Sequence, residues 1–232
     1  MTERSPQTES VPESEPPAIE ANAHEAPPSE RTRVRRLPER GVYERDAIDA
    51  ILDEALICHL AYVQGGEPRV IPTIHARVGD TLYVHGSNAS RTLRSTKGGA
   101  PVAAEVTLID GLVLARSAFH HSMNYRSVVV YGRAREVTDP AEKFEAQRAL
   151  VEHVVPGRSA DARLPNDREL DQTTILAIPM DEASAKVRTG PPKDEDEDLA
   201  LPVWAGVLRS RRSPASPSPT GSCRTGSIRL RT

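Results

Sequence analysis

Three glycine-bearing dipeptides, Gly65-Gly66, Gly79-Asp80 and Asp110-Gly111, most constrain how this chain can fold, because runs rich in β-branched residues flank each one. Two-residue turns of this kind join antiparallel neighbours. Ile57–Gln64, Arg69–Arg77, Thr81–His85, Pro101–Ile109 and Leu112–Arg116 therefore read as a meander of strands, with Arg126–Val137 as a later, long one and Gln172–Met180 as the last. Pro72 inside the second run implies an edge, a bulge or a bend. Helical spacing is rarer. Ile48, Ile51, Leu52, Ala55 and Leu56 form one apolar stripe behind a candidate cap, Asp46, with Asp49 in the first turn. Asn88–Lys97 reads as a short helix ended by Gly98-Gly99, and Ala141–His153 as one stopped at Pro156-Gly157. Closely spaced hairpins with few helices give a mainly β fold, a small closed or partly closed antiparallel barrel with peripheral helices.

Charge marks the limits of that fold. Residues 1–30 hold seven Glu, one Arg and six Pro, a net of −6, whereas 209–232 hold six Arg and no acid. Low hydrophobicity with charge of one sign cannot offset chain entropy, so residues 1–34 and 209–232 are expected to be disordered around one domain, 35–208. The middle of the chain is near neutral, which argues against nucleic acid as the main partner; only the basic tail could contact it. No apolar run approaches the ~20 residues of a membrane span, and no secretory pattern opens the sequence. Cys58 and Cys223 suggest neither a disulfide framework nor zinc spacing, and Cys58 reads as core. A soluble, cytoplasmic protein is expected.

The segment from His85 to Arg91 is the most informative for chemistry: a strand end, a Gly-Ser turn and the start of a helix. Backbone N–H groups there, the hydroxyls of Ser87 and Ser90 and the guanidinium of Arg91 suit a phosphate. The same spacing also fits a simple cap with a solvated arginine, and the residues alone leave both open. A second polar cluster, Asn124-Tyr125-Arg126-Ser127, opens a long strand whose alternation puts Asn124 and Arg126 on one face, Tyr125 and Ser127 on the other. The pair His120-His121 is read on a strand, where adjacent side chains point apart, and no third ligand is at metal spacing. Trp204 reads as a packing anchor or a ligand platform, Asp194–Asp198 as a solvated acidic run, and Lys186 and Arg188 as surface charges within reach of an anion. No nucleophile elbow, zinc-protease, phosphate-loop or dinucleotide-binding motif is present.

Val70–Thr73 after Arg69, Leu82–Gly86, Ser90-Arg91, Tyr125–Val128 with Gly132, and Val203–Leu208 together resemble the flavin-nucleotide-binding, pyridoxamine 5'-phosphate oxidase-like family. That family includes nitroimidazole-resistance proteins. The likeness runs from about Arg35 to Leu208. It implies an FMN-binding split β-barrel of Greek-key type, a homodimer with flavin at the subunit interface. Val70, Ile71, Pro72 and Thr73 would lie along the ring system; His85, Ser87, Ser90 and Arg91 would hold the phosphate. Asn124, Tyr125, Arg126, Ser127 and Trp204 would line the same site. Two departures narrow the activity: Thr92 stands where the resistance branch carries a lysine, and no C-terminal Arg-x-His motif of vitamin oxidation is found.

The expected function is an FMN-dependent oxidoreductase acting on a small aromatic or nitro-type molecule, with no catalytic residue assigned. A non-enzymatic flavin binder or sensor is the first alternative. The same barrel holding haem, arguable from His85, His120 and His121, or a deazaflavin, is the second.

Overall fold

The computed structural model describes residues 26–210; the tails expected to be disordered, and Cys223, lie largely or wholly outside them. In chain order the elements are β1 (Gly41–Val42), α1 (Arg45–Glu54), β2 (Ile57–Gln64), β3 (Glu67–Val78), β4 (Thr81–Ser87), α2 (Arg91–Thr96), β5 (Gly98–Leu114), β6 (Ser122–Glu136), α3 (Pro140–Val154), α4 (Arg158–Asp161), α5 (Asp167–Asp171), β7 (Thr173–Pro179), β8 (Glu182–Arg188) and β9 (Gly206–Arg209). Every strand pairing is antiparallel. β2 pairs with β3, β3 with β4, β4 with β7, β7 with β6, β6 with β5 and β5 with β2, which closes a barrel. β8 extends β6 and carries β1 at its outer edge; β9 adds to the far end of β5. The mainly β barrel with peripheral helices is as expected.

Alternation within the strands fills the barrel. Cys58, Leu60 and Tyr62 of β2, Leu82 and Val84 of β4, Val102, Ala104 and Val106 of β5, and Val128 and Val130 of β6 point inward. α1 plugs one end with Ile48, Ile51 and Leu52. On the opposite side of β4 and β7, Tyr83, Ile175 and Ala177 form a second cluster with Ala146 of α3. Gly65 and Gly66 adopt φ of 61° and 82°, which the primed hairpin turn between β2 and β3 requires. No helix among the described residues is long and apolar enough to cross a membrane.

Four expectations need correction. Asp110-Gly111 is no hairpin turn: β5 runs through it, with a register shift against β6 between Ile109 and Gly111. Glu44, not Asp46, is the cap position of α1, and Leu56 lies past the helix end and is exposed. Gln172–Met180 is not the last strand, since β8 and β9 follow it. His120 belongs to a short 3-10 turn, Ala118–His120, with His121 after it, rather than to a strand. Packing also begins before Arg35, with Thr32 buried and Arg31 paired to Glu182.

Candidate functional site

The barrel wall parts at one place. β3 and β4 pair only from His75/Val84 to Val78/Thr81. Beyond that, Glu67–Ile74 pairs with β2 alone, and His85–Ser87 with β7 alone. Pro68 and Pro72 lack the N–H that a ladder on both sides would use, which explains why the stretch keeps a free edge. Along it Ile71 faces the core beside Leu60, and Thr73 shares that side opposite Cys58. Val70, 61% exposed, and Pro72 stand on the outer face.

Opposite that free edge lies the β4–α2 connection, held by its own backbone. Gly86 lets α2 approach: a Cβ there would sit 2.9 Å from Leu93 Cδ1. Ser87 Oγ accepts the Ala89 N–H at 3.2 Å, and Ser90 Oγ caps α2 by accepting from the Leu93 N–H. Asn88 is committed to structure, accepting from the Thr174 hydroxyl at 2.7 Å while its own amides donate to Asp171 and Gln172 carbonyls. The Tyr62 and Thr92 hydroxyls meet at 2.9 Å in the interior and anchor α2 from below. Arg91 is exposed and has no partner among the described residues. His85 is half-buried; its Nδ1 is enclosed without a hydrogen-bond partner, and burial pushes its pKa down. A charged Arg91 and a neutral His85 thus flank the mouth of the parting.

The second cluster divides by face. Arg126 is 6% exposed and bound by two carboxylates: Asp110, at 2.9 Å from Nε and 2.7 Å from Nη2, and Glu54, at 3.0 Å from Nη2. These hydrogen bonds, Asp110's first, raise its pKa further. The β5 irregularity has its reason here, since the shift presents Asp110 to Arg126. Tyr125 and Ser127 face outward, opposite Arg188 and Lys186 of β8. Asn124 Oδ1 accepts from Arg188 Nη1, and its Nδ2 donates to Gly190 O at 3.1 Å. Trp204 is 61% exposed, its ring lying over the Cα of Gly206.

The candidate residues therefore fall into two groups within one chain. Val70–Thr73 and His85–Arg91 share the parting. Asn124–Ser127 stand on β6, which β5 and β2 separate from β3, three inter-strand steps around the wall. Sequence reasoning did not find the carboxylate partners of Arg126 or the environment of Arg188. The Asp110-Gly111 signal was read as a turn, and β8 was not recognised as a strand.

On the outer face of β2 and the free edge of β3 no other described element covers Ile57, Val63, Val70 and Ile74, which are exposed there beside Ala61, Pro68 and Pro72. His59 and Glu105 meet on that outer face at 3.4 Å.

The model of the pyridoxamine 5'-phosphate oxidase family matches residues 44–187. Among solved structures, a flavocytochrome from Azotobacter vinelandii is 39% identical, with a TM-score of 0.79 over 84% of this chain and 91% of that one. An FAD- and haem-binding protein from Mycobacterium smegmatis is 36% identical, with a TM-score of 0.77 over 81% and 92%. A 5-nitroimidazole antibiotic resistance protein assigned in Bacteroides thetaiotaomicron, 22% identical with a TM-score of 0.52 over 63% and 86%, shares the fold. No curated protein matches the chain.

Proposed function

This chain belongs to the pyridoxamine 5'-phosphate oxidase family, and from that premise we propose that it is a flavin-dependent oxidoreductase acting on a small aromatic or nitro-type molecule. The observation that carries the reading is the parting of β3 from β4, with an apolar free edge on one side and an unpaired arginine beside two serines on the other. Backbone along Val70–Thr73 can lie against a flat ring system because Pro72 keeps that edge unpaired. Ser87, Ser90 and Arg91 can take the phosphate of a flavin mononucleotide, the part that FMN and FAD share. The flavin supplies the electron transfer, and the protein orients it, excludes water and places donors near its polar edge.

A bare sheet face and a candidate site in two separated groups support a homodimer, in which the parting of one copy meets the β6–β8 surface of the other. FMN is the cofactor proposed for this site. A second reading adds haem, as the names of the Azotobacter and Mycobacterium proteins do for those proteins. Its local support is His85, whose burial keeps the imidazole neutral, the state that a metal ligand requires.

An absorption spectrum of the full chain after loading with FMN, FAD or haem and washing tests these readings. Retained bands near ~370 and ~450 nm are expected of bound flavin; mass measurement of the released nucleotide separates FMN from FAD, and a Soret band identifies haem. Arg91→Ala is expected to weaken flavin binding on the order of 10- to 100-fold, the loss of one charge-assisted hydrogen bond; unchanged affinity would remove Arg91 from the site. Steady oxidation of a nicotinamide donor, coupled to reduction of a nitroaromatic, separates an enzyme from a non-enzymatic binder.

A further inference from the structure

Arg188 is 8% exposed, yet no carboxylate among the described residues forms an ion pair with it. Its one side-chain partner is the Asn124 amide oxygen, and Asn124 is itself held in that orientation by Gly190 O. The cation that acts on it is of the same sign, Arg40, at the end of the 3-10 turn Pro38–Arg40. Two residues away on the same face, the Lys186 ammonium donates to a neutral acceptor, Arg36 O, at 3.0 Å. Glu39 in that turn pairs with none of them. Leu37, in a left-handed conformation at φ 56°, turns the chain so that the Arg36 carbonyl and Arg40 both meet β8.

Removing a guanidinium from water costs several kcal/mol unless an opposite charge compensates. Arg126, as buried, has two carboxylates; Arg188 has an amide and a neighbouring cation. We propose that Arg188, with Asn124, Arg40 and Lys186, is an anion-binding site that takes the phosphate or carboxylate group of a small ligand. Tyr125, directly across the ladder from Arg188, borders it. A planar guanidinium with Nη1 fixed on Asn124 presents its remaining N–H groups as a fork to an oxyanion. Within one chain the site lies apart from Arg91, and anion binding there can be tested whether or not the flavin reading holds. Burial and the Arg40 charge also lower the Arg188 pKa, as a cation lacking its counter-ion should show.

Inorganic phosphate is the probe, titrated into the nucleotide-free full chain at constant ionic strength and read as the thermal unfolding midpoint. A saturable rise is expected for the wild type, a persisting one for Arg91→Ala, a smaller one for Arg188→Met, and none for the double variant Arg91→Ala with Arg188→Met. Arg188→Met should also unfold at a higher temperature than wild type without phosphate, whereas an arginine with a purely structural role would lower it. Arg40→Gln, on a half-buried position, should weaken phosphate binding several-fold if Arg188→Met does not fold. Loss of the phosphate effect on loading with flavin would identify the flavin's own anionic arm as occupant; its persistence would point to a separate anionic ligand. No phosphate effect in the wild type, or an undiminished one in Arg188→Met or Arg40→Gln, would overturn the proposal.

Discussion

Arg126 and Arg188 are the same side chain at nearly the same burial, and their surroundings set opposite roles. Arg126 ties the end of α1 to the irregular point of β5 through Glu54 and Asp110. Truncation to Ala takes the guanidinium away from Asp110 and from Glu54; both carboxylates are partly exposed, so screening limits the loss to about 2–3 kcal/mol, read in urea unfolding. A histidine pair meets the carbonyls of that same end of α1, and His75 makes it sensitive to pH. His75 Nε2 donates to Leu52 O at 3.0 Å, and His153 Nε2 to Ala55 O at 2.7 Å, with the rings 4.8 Å apart. Burial pushes the His75 pKa down to about 4. Between that value and the unfolded ~6.5 the unfolded chain binds the extra proton, so stability is complete above ~6.5 and falls by about 3 kcal/mol as pH drops to 4. His75→Gln keeps a donor but cannot titrate, and it should flatten that slope by about one proton. An unchanged slope would assign the acid sensitivity to other groups. Neither histidine was marked in the sequence, because a buried imidazole on a helix carbonyl has no spacing signature.

At the scale of elements, β2, the Gly65-Gly66 turn, β4 and α3 were legible because hydrophobic period and turn chemistry agree there. Asp110-Gly111 was not, since the same dipeptide that closes a hairpin also suits a register shift, and what decides is Arg126, sixteen residues further on. Glycine is required at 111 for a reason no turn rule contains: a Cβ would lie 2.9 Å from Leu208 O and 3.0 Å from Val207 Cγ1 of β9. Gly111→Ala is therefore expected to lift β9 from β5 at a cost of about 1–3 kcal/mol. Amide exchange of the β9 residues Val207 and Leu208 should accelerate, while that of β2 and β4 should not. Equal acceleration everywhere would mean that β9 is part of the barrel's cooperative unit. β8 and β9 escaped a sequence reading for a related cause, because a Pro- and acid-rich connection separates them and each is short.

At the scale of the whole molecule, motif order gives the expected flavin residues only their places in the sequence, and their distribution over two surfaces of one chain is visible in the structure alone. Ile57 and Val63, 51% and 65% exposed, belong to the outer face of β2. With Val70 and Ile74 they make an apolar stripe next to the parting. A two-fold contact there is self-complementary, so each copy would cover the other's stripe while lending its β6–β8 surface to the other's free β3 edge. Sedimentation equilibrium of the full chain should give twice the 25.3 kDa of one copy. Ile57→Arg with Val63→Arg places four charges in a two-fold interface; the variant should be monomeric, keep its barrel by circular dichroism and lose retained flavin, although both positions lie on β2 and not on the free edge itself. A monomer that still holds flavin would show that one copy's parting suffices, and a dimer untouched by the two arginines would put the contact on another face. The parting explains the linkage: an unpaired edge with an apolar flank is costly to leave in water, and either a ring system or a second copy relieves it only in part. Both together close it, so flavin affinity and dimer affinity are expected to rise and fall as one quantity.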